Sequence, residues 1–584
     1  MKQRDYVMNL NGTWKFILDK DDDGGEKGYM MTSCDTAYWR SAQIPCTYEG
    51  AAQERMGYRG TAWFRKSFTL EEAPEALLWL EFAAVNYKAD IWVNEQPVGS
   101  VICSYLPFRF EISKFVKPGE NLLCVRVNNR VIPGMLPSSP FWRSHGGIIR
   151  DVSLYSTSTC YIENVKAVKT DDGLKMTTVI ANTTDVTKTL ALQHICPENG
   201  LVGENTVVIE PNSSATSEVV FPLSHFDLWE LGNPVMYTCR SVLTGGDVED
   251  VYTISFGVRD ICAKDGKIYL NGKEIFLRGF NRHEDSPRTQ LATDVENAER
   301  DFNIIKQMNA NFVRFCHYPH SEEELDICDR LGLLVLGEIP LCAPMVGIKE
   351  YNDTETKRAL PQMYINAKNT LKQMIDRDYN HPSIIFWSVS NESSEDIPQI
   401  VQMNNALIEY AKELDNSRFA VHVTQGCWWY QPDLAATLFA HDDVICINAY
   451  ITMERNNAIG GMDKVIGPEY DEHAASFWEE KLAVFHEKYP GKPVVITEFG
   501  YPSEKIADGI RDEDKQRDAI LCDMRAMEGR VSGYAIWHLT DHEWELAEDR
   551  TVFFGSYISP YGVFTRDRKP KKCVEAIAKY WEEL

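Results

Sequence analysis

The chain has 584 residues, which at roughly 150 residues per domain corresponds to about four domains, or three if one is a large barrel, and excludes a single small binding module. Apolar residues make up 44% and charged residues 25%, with 14 Trp, 26 Tyr and 25 Phe, so several cores can form and disorder cannot dominate. Lys plus Arg number 60 against 86 Asp plus Glu, and the resulting charge of -26 repels phosphate backbones and anionic lipid, so neither nucleic acid nor a membrane is expected as partner.

The basic run Arg566–Lys572 (RDRKPKK) is short, contains Asp and Pro, and reads as a solvated turn before a helix. The 15 Cys fall singly in hydrophobic stretches without a CxxC pair, as buried thiols in a reducing compartment do. The N-terminal residues have no apolar signal-like core, and no stretch of about 18 apolar residues follows. A soluble, cytoplasmic protein is expected.

From Asn11 to about Tyr155, short apolar strands alternate with polar turns: TWKFIL, TAWFRKSF, EALLWLEF, ADIWVN, NLLCVRVNN and DVSLYS. This predicts an all-β domain of jelly-roll kind. YIENVKAVKT, GLKMTTVIAN, TKTLALQHI, ENTVVIE, MYTCRSVL and VYTISFGV follow in a rhythm that predicts an immunoglobulin-like sandwich. From about Phe276, strands alternate with helices. The strand candidates are 275–280, 312–315, 333–336, 384–388, 419–424, 444–447, 494–497 and 534–537. The helices are 293–308, with Thr293 and Glu296 at capping-box spacing, 322–330, 361–377 and 398–414. Eight strands with intervening helices predict a (β/α)8 TIM barrel; a doubly wound sheet lacks its GxGxxG here. The division expected is 1–157 jelly-roll, 158–257 immunoglobulin-like and 258–584 barrel.

A barrel carries its chemistry at the C-terminal ends of its strands. Glu392 and Glu498 each end an apolar run, WSVSNE and VITE, where burying a carboxylate is costly unless it is hydrogen-bonded or functional. Facing one another across the mouth, they suit a retaining glycosidase, in which a protonated carboxyl and an ionised one stand about 5 to 5.5 Å apart. Simple acceptance of backbone or Arg hydrogen bonds, or a metal-dependent hydrolase, would also account for acids in these places. Arg278 and Arg314, on the first two strands, could orient Glu498 and keep it ionised, or form a core pair with Glu338 or Asp541. His283, Glu284, Asp285, His317, His320, His381 and His538 lie near strand ends, but there is no HExxH and no repeated i, i+4 pattern. No metal and no cofactor is expected.

At these residues the chain becomes recognisable. NGTWKF, YRGTAWFRKSF, ADIWVNEQPVG and GGIIRDV in the first domain, with FLRGFNRHED, RFCHYPHSEEELD, RDYNHPSIIFWSVSNE, ITEFG and GVFTRDRKPK in the barrel, resemble the glycoside hydrolase family 2 enzymes along essentially the whole chain. That family includes β-galactosidases, β-mannosidases and β-glucuronidases, and the likeness is greatest to the bacterial glucuronidase branch. It implies that Glu392 is the acid/base, that Glu498 is the nucleophile and that Asn391 donates to the sugar 2-OH. It also implies that His317, Tyr450, Trp537 and Asp541 line the pocket, with Trp537 as an apolar floor.

The departures bear on the sugar. Ser559 and Tyr561 stand where glucuronidases carry the Asn and Lys that hold the sugar carboxylate, Phe141 replaces a pocket Asp, Ala449 replaces an Arg and His538 an Asn. Arg143, Arg566 or Arg568 could supply a cation instead. The resemblance therefore implies a retaining exo-β-glycosidase acting on the non-reducing end of a small β-glycoside or oligosaccharide. Its sugar would be a glucuronide or galacturonide; a galactoside or furanoside (galactofuranoside or arabinofuranoside) is the alternative. A non-catalytic carbohydrate-binding protein would give no reason for two opposed glutamates. Family members are commonly homodimers or homotetramers.

Overall fold

The computed structural model describes all residues except 1–3, 5, 54–56, 73, 75, 103–104, 133, 139–144, 343–353, 396, 426–436, 452–468, 506–509 and 544–557. Phe141 and Arg143 therefore lie outside the described residues.

The first part of the chain is an antiparallel sandwich of two main sheets, with a small third sheet of Cys46–Thr47, Gly147–Ile148 and Val85–Asn86. One sheet has the order Tyr6–Asn9, Val152–Thr157, Leu77–Phe82, Phe108–Glu111. The other runs Arg40–Ile44, Gly12–Asp19, Thr61–Leu70, Gly119–Asn128, Lys88–Val93, Gln96–Ile102. Leu77–Phe82 and Lys88–Val93 alternate buried and half-buried side chains, so every second residue, such as Phe82 and Ile91, joins one core with Trp14, Phe64 and Val125.

The second sandwich pairs Cys160–Thr170, Gly173–Asn182 and Ser213–Phe221 in one sheet. Leu201–Ile209, Lys188–Cys196, Tyr237–Gly245 and Val248–Phe256 form the other. Ser213–Phe221 (SSATSEVVF) was not among the strands expected, because its serines read as loop. Pairing with Gly173–Asn182 turns Ser217 and Phe221 inward, and the ladder rather than the hydropathy makes the strand.

The third part is a closed parallel barrel of β1 (Leu277–Arg282), β2 (Phe312–Phe315), β3 (Leu334–Glu338), β4 (Ile384–Asn391), β5 (Phe419–Gln425), β6 (Ile445–Asn448), β7 (Val494–Phe499) and β8 (Gly533–Ile536). Closure brings β1 beside β8, with Leu277 opposite Gly533. Gly279 permits the β1–β2 approach, since a Cβ there would stand 1.8 Å from the Phe312 carbonyl oxygen.

Six of these strands, β1, β3, β4, β5, β6 and β7, run beyond the expected ends, and the added residues are Asn281, Arg282, Glu338, Asn391, Gln425, Asn448, Glu498 and their neighbours. Polar residues lower the hydropathy of a strand end, yet a barrel mouth keeps the ladder going when those side chains find partners inside. The expected helix N-cap at Thr293 is replaced by Asp294, whose side chain accepts from the Asn297 amide, and the helix runs Val295–Gln307. The helix expected from Pro361 begins at Thr354 and carries Pro361 within it. Among the described residues, no helix is long and apolar enough to cross a membrane.

Candidate active site

Alternation along each strand decides what enters the barrel. In β2, Phe312 joins the interior core while Val313 and Phe315 face the helices, so Arg314 points inward. In β1, Leu277 is interior and Phe280 exterior, which puts Asn281 inside and Arg278 outside. The Arg278 Nε accordingly donates to the Asn309 carbonyl on the outer face at 2.6 Å. The expectation that Arg278 orients Glu498 is thereby corrected: the two-residue period of the strand directs its side chain to the wrong side of the sheet.

Arg314 is fully buried and holds the site together. Its Nη1 donates to Glu498 Oε1 at 2.6 Å and to Asn281 Oδ1 at 3.0 Å, and its Nη2 to both Glu338 oxygens at 2.9 Å and to Asn391 Oδ1 at 2.7 Å. The two roles weighed for it thus coexist: a core pair with Glu338 and a grip on Glu498. Burial works against its charge, and Glu338 and Glu498 more than offset that, so the guanidinium pKa is raised.

Glu498 has both oxygens occupied, Oε1 by Arg314 and Oε2 by the Tyr450 hydroxyl at 2.7 Å. Burial raises its pKa, while Arg314 and Tyr450 oppose that rise by bonding to the ionised form. The β6–β7 register is irregular here, with Asn448 opposite Glu498, and Thr497 donates to Asn448 Oδ1 at 2.8 Å, so successive residues of β7 both serve the mouth.

Glu392 has different neighbours. Its Oε1 accepts from Asn448 Nδ2 at 2.8 Å and its Oε2 from Gln425 Nε2 at 3.3 Å, both neutral amides. Burial, then the charge of Glu498, pushes its pKa up to about 7. Its backbone lies in the left-handed region (φ 46°), an uncommon conformation for a residue with a Cβ and one that recurs at functional sites.

Asn391 Oδ1 accepts from Arg314 and, at 3.1 Å, from Asn448 Nδ2. With two donors on the oxygen, the amide orientation is set and Nδ2 is left as the donor. His317 Nδ1 meets Glu338 Oε1 at 2.9 Å, burial lowers its pKa, and its ring stacks on Trp537 with centroids 5.4 Å apart. Cys316, Trp537 and Tyr561 form one apolar wall with Tyr450, whose ring meets that of Tyr561 edge-on at 5.9 Å.

The remaining expected residues divide. His538, next to Trp537, has its Nε2 2.9 Å from His542 Nδ1 and 3.3 Å from the Ser559 hydroxyl. Asp541 Oδ1 accepts from Lys571 Nζ at 2.8 Å and from the Gly562 amide at 2.9 Å. Arg568 does not offer a cation to a ligand, because it is buried and its Nε and Nη2 both bond Asp301 at 2.9 Å. Arg566 is likewise paired, to Asp285 and Glu543. These corrections share one cause: a buried guanidinium needs a carboxylate, and here it finds one within the protein.

Asn281, Lys571 and His542 were not singled out from the sequence. Asn281 carried a signal, a lone amide inside the apolar first strand. Two buried triplets bring metal-type ligand atoms within 4.8 Å of one another, His283–Cys316–His317 and Glu284–His320–Glu324. Protein bonds already engage several of these groups: His317 to Glu338, His320 to Glu324, Glu324 to Arg282 and Glu284 to Arg150.

A closed eight-stranded barrel behind two β-sandwiches, with paired glutamates ending β4 and β7, defines a hydrolase of glycosidic bonds. The chain belongs to the glycosyl hydrolases family 2, matching its sugar binding domain over residues 7–158 and its TIM barrel domain over residues 261–584. It is similar to the β-glucuronidase of Sus scrofa, 26% identical over 98% of this chain and 90% of that protein. A longer Formosa agariphila protein with a provisional β-glucuronidase name is 31% identical over 70% of this chain, which spans 50% of that protein's length. In fold it is similar to the β-galacturonidase of Eisenbergiella tayi bound to galacturonate, with a TM-score of 0.83 at 23% identity, covering 99% and 97% of the two chains.

Proposed function

We propose that the protein removes terminal β-linked uronic acids, glucuronide or galacturonide, from the non-reducing end of its substrate with retention of configuration. Glu392 gives its proton to the leaving oxygen as Glu498 attacks the anomeric carbon, forming a covalent glycosyl-enzyme. Glu392 then takes a proton from the water that releases the sugar. The observation that carries this reading is the unequal environment of the two carboxyls. Glu498 is gripped by a guanidinium and a phenol that favour its ionised form, while Glu392 has only neutral amides and is pushed up to about 7. Asn391 Nδ2 donates to the sugar 2-OH, and Trp537, backed by His317, supports the apolar face of the ring.

The relatives' names support a uronide. Ser559 and Tyr561, in place of an amide and an ammonium, keep galacturonide on equal footing with glucuronide. A neutral galactoside or a furanoside is the second reading, favoured by the pairing of Arg566, Arg568 and Lys571 with carboxylates. Turnover of 4-nitrophenyl glucuronide, galacturonide, galactoside, mannoside, fucoside and arabinofuranoside tests both. A galactoside preferred over both uronides overturns the uronide reading.

The functional division is 1–157, 158–257 and 258–584, with the chemistry in the last. The free, mostly buried cysteines support a cytoplasmic setting. Homodimers or homotetramers are the expected assembly, checked by light scattering.

A further inference from the structure

A carboxylate entering a closed pocket must be met by a positive charge or strong donors, or its desolvation is not recovered. Around this mouth, the cations that come into question among the described residues are already committed. Arg314 holds Glu338 and Glu498, Arg566 holds Asp285 and Glu543, Arg568 holds Asp301, and Lys571 holds Asp541. What lies beside them is a cluster of imidazoles. The His538 and His542 ring centroids are 4.3 Å apart, those of His283 and His542 4.5 Å, and all three rings stand within 6 Å of Trp537.

His542 and Ser559 are cross-strand partners in a short antiparallel pair, and His538 Nε2 reaches both, His542 Nδ1 at 2.9 Å and Ser559 Oγ at 3.3 Å. Two residues beyond Ser559, Tyr561 packs on Tyr450, whose hydroxyl bonds Glu498. Trp537, against which a pyranose with C1 at Glu498 would rest, is thus in ring contact with this cluster as well as with the pocket.

On the uronide reading given above, we propose that the His538–His542 pair with Ser559 is the element that recognises the sugar carboxylate, becoming a cation by taking up one proton as the uronate binds. Two neutral imidazoles carry two N–H protons, one of them in the hydrogen bond between the rings, so the pair becomes a cation by taking up a third on a remaining ring nitrogen. The groups facing the pair are His283 and Asp285 from the segment after β1, His317 from that after β2, Asp541 and Glu543 on its own segment, and Arg566 and Lys571 from the C-terminal segment. Burial, ahead of the neighbouring charges, holds His542 down to about 4 and His538 below its ordinary value, so the empty site is neutral near pH 7. A bound carboxylate reverses that balance. Uronate affinity is then greatest at acid pH and falls by up to about tenfold per pH unit as pH rises from the free-site pKa toward the bound-site one. A neutral glycoside carries no such dependence at this locus.

The test is calorimetry of galacturonate and glucuronate binding in buffers of different ionisation enthalpy, made in Glu392→Gln so that the titration of Glu392 does not contribute. Uptake of about half to one proton per site near pH 6.5 is expected, lost on adding His538→Asn, with uronate affinity falling about tenfold or more. His542→Gln, with folding checked by thermal melting, is the second variant and should behave alike. Uronate binding without net proton uptake, or uptake unchanged in both histidine variants, overturns the proposal. Galactoside turnover with no uronide turnover at any pH overturns the uronide reading itself, and this proposal with it.

Discussion

Arg314 and Glu498 meet at 2.6 Å between β2 and β7, with the guanidinium wholly buried and the carboxylate nearly so. The same guanidinium holds Glu338 and the Asn391 amide, so a single side chain orients the carboxylate proposed to attack, a second carboxylate and the residue preceding the proposed acid. The site is therefore a network, and loss of one member reaches the others.

Replacing Glu498 by Gln removes the attacking oxygen while keeping the shape, and should lower kcat for an aryl glycoside about 10^4-fold or more with the circular dichroism spectrum unchanged. Arg314→Lys keeps the charge but not the planar fork, and should lower kcat by about 100-fold. Steady-state assays of the two variants with undiminished kcat would contradict the roles given to the pair.

The alkaline limb of the pH profile belongs to Glu392. Its proton must be present for the leaving group to depart, so kcat/KM should hold below about 7 and fall as pH rises through that value. Burial is its leading cause, and the charge of Glu498 the next. In Glu498→Gln, the residue's pKa, followed by NMR or infrared titration of its carboxyl, should therefore fall.

The same shift has a sign in stability. Glu392 binds its proton more tightly folded than unfolded, so native stability declines as pH rises from its ordinary 4.5 toward about 7. Glu392→Gln should accordingly melt higher than the natural protein at pH 8, and this advantage should vanish near pH 4.5. Melting curves at the two pH values check this, and an equal difference at both would count against it.

Tyr450→Phe deletes a hydrogen bond that favours ionised Glu498. The acid limb of kcat/KM, set by ionisation of Glu498, should move to higher pH in this variant, with kcat lowered about 10- to 100-fold. A pH profile superimposable on that of the natural protein would exclude this role.

Asp301 is shared by Arg282 and Arg568, all three buried, and Arg282 also holds Glu324. Asp301→Ala takes from Arg568 its carboxylate and leaves Arg282 with Glu324 alone, and should cost about 3–5 kcal/mol by chemical denaturation. The cost should appear even when a pocket inhibitor is absent, since the cluster lies on the outer face of β1.

By itself, the sequence determined the order of parts, two β units and then a barrel, because periodicity and strand spacing are local properties that each segment carries alone. It also placed Glu392, Glu498 and Arg314 at strand ends, since a charged residue closing an apolar run stands out against its neighbours. Ser213–Phe221 escaped, being a strand only through its partner. Tertiary structure alone decided which side of β1 Arg278 faces, that Arg566, Arg568 and Lys571 are spent on internal carboxylates, and that His538, His542 and Ser559 converge. Facing, pairing and convergence depend on residues tens to hundreds of positions apart. The energy of a buried charge is set by what those residues place beside it, not by the stretch of chain in which it occurs.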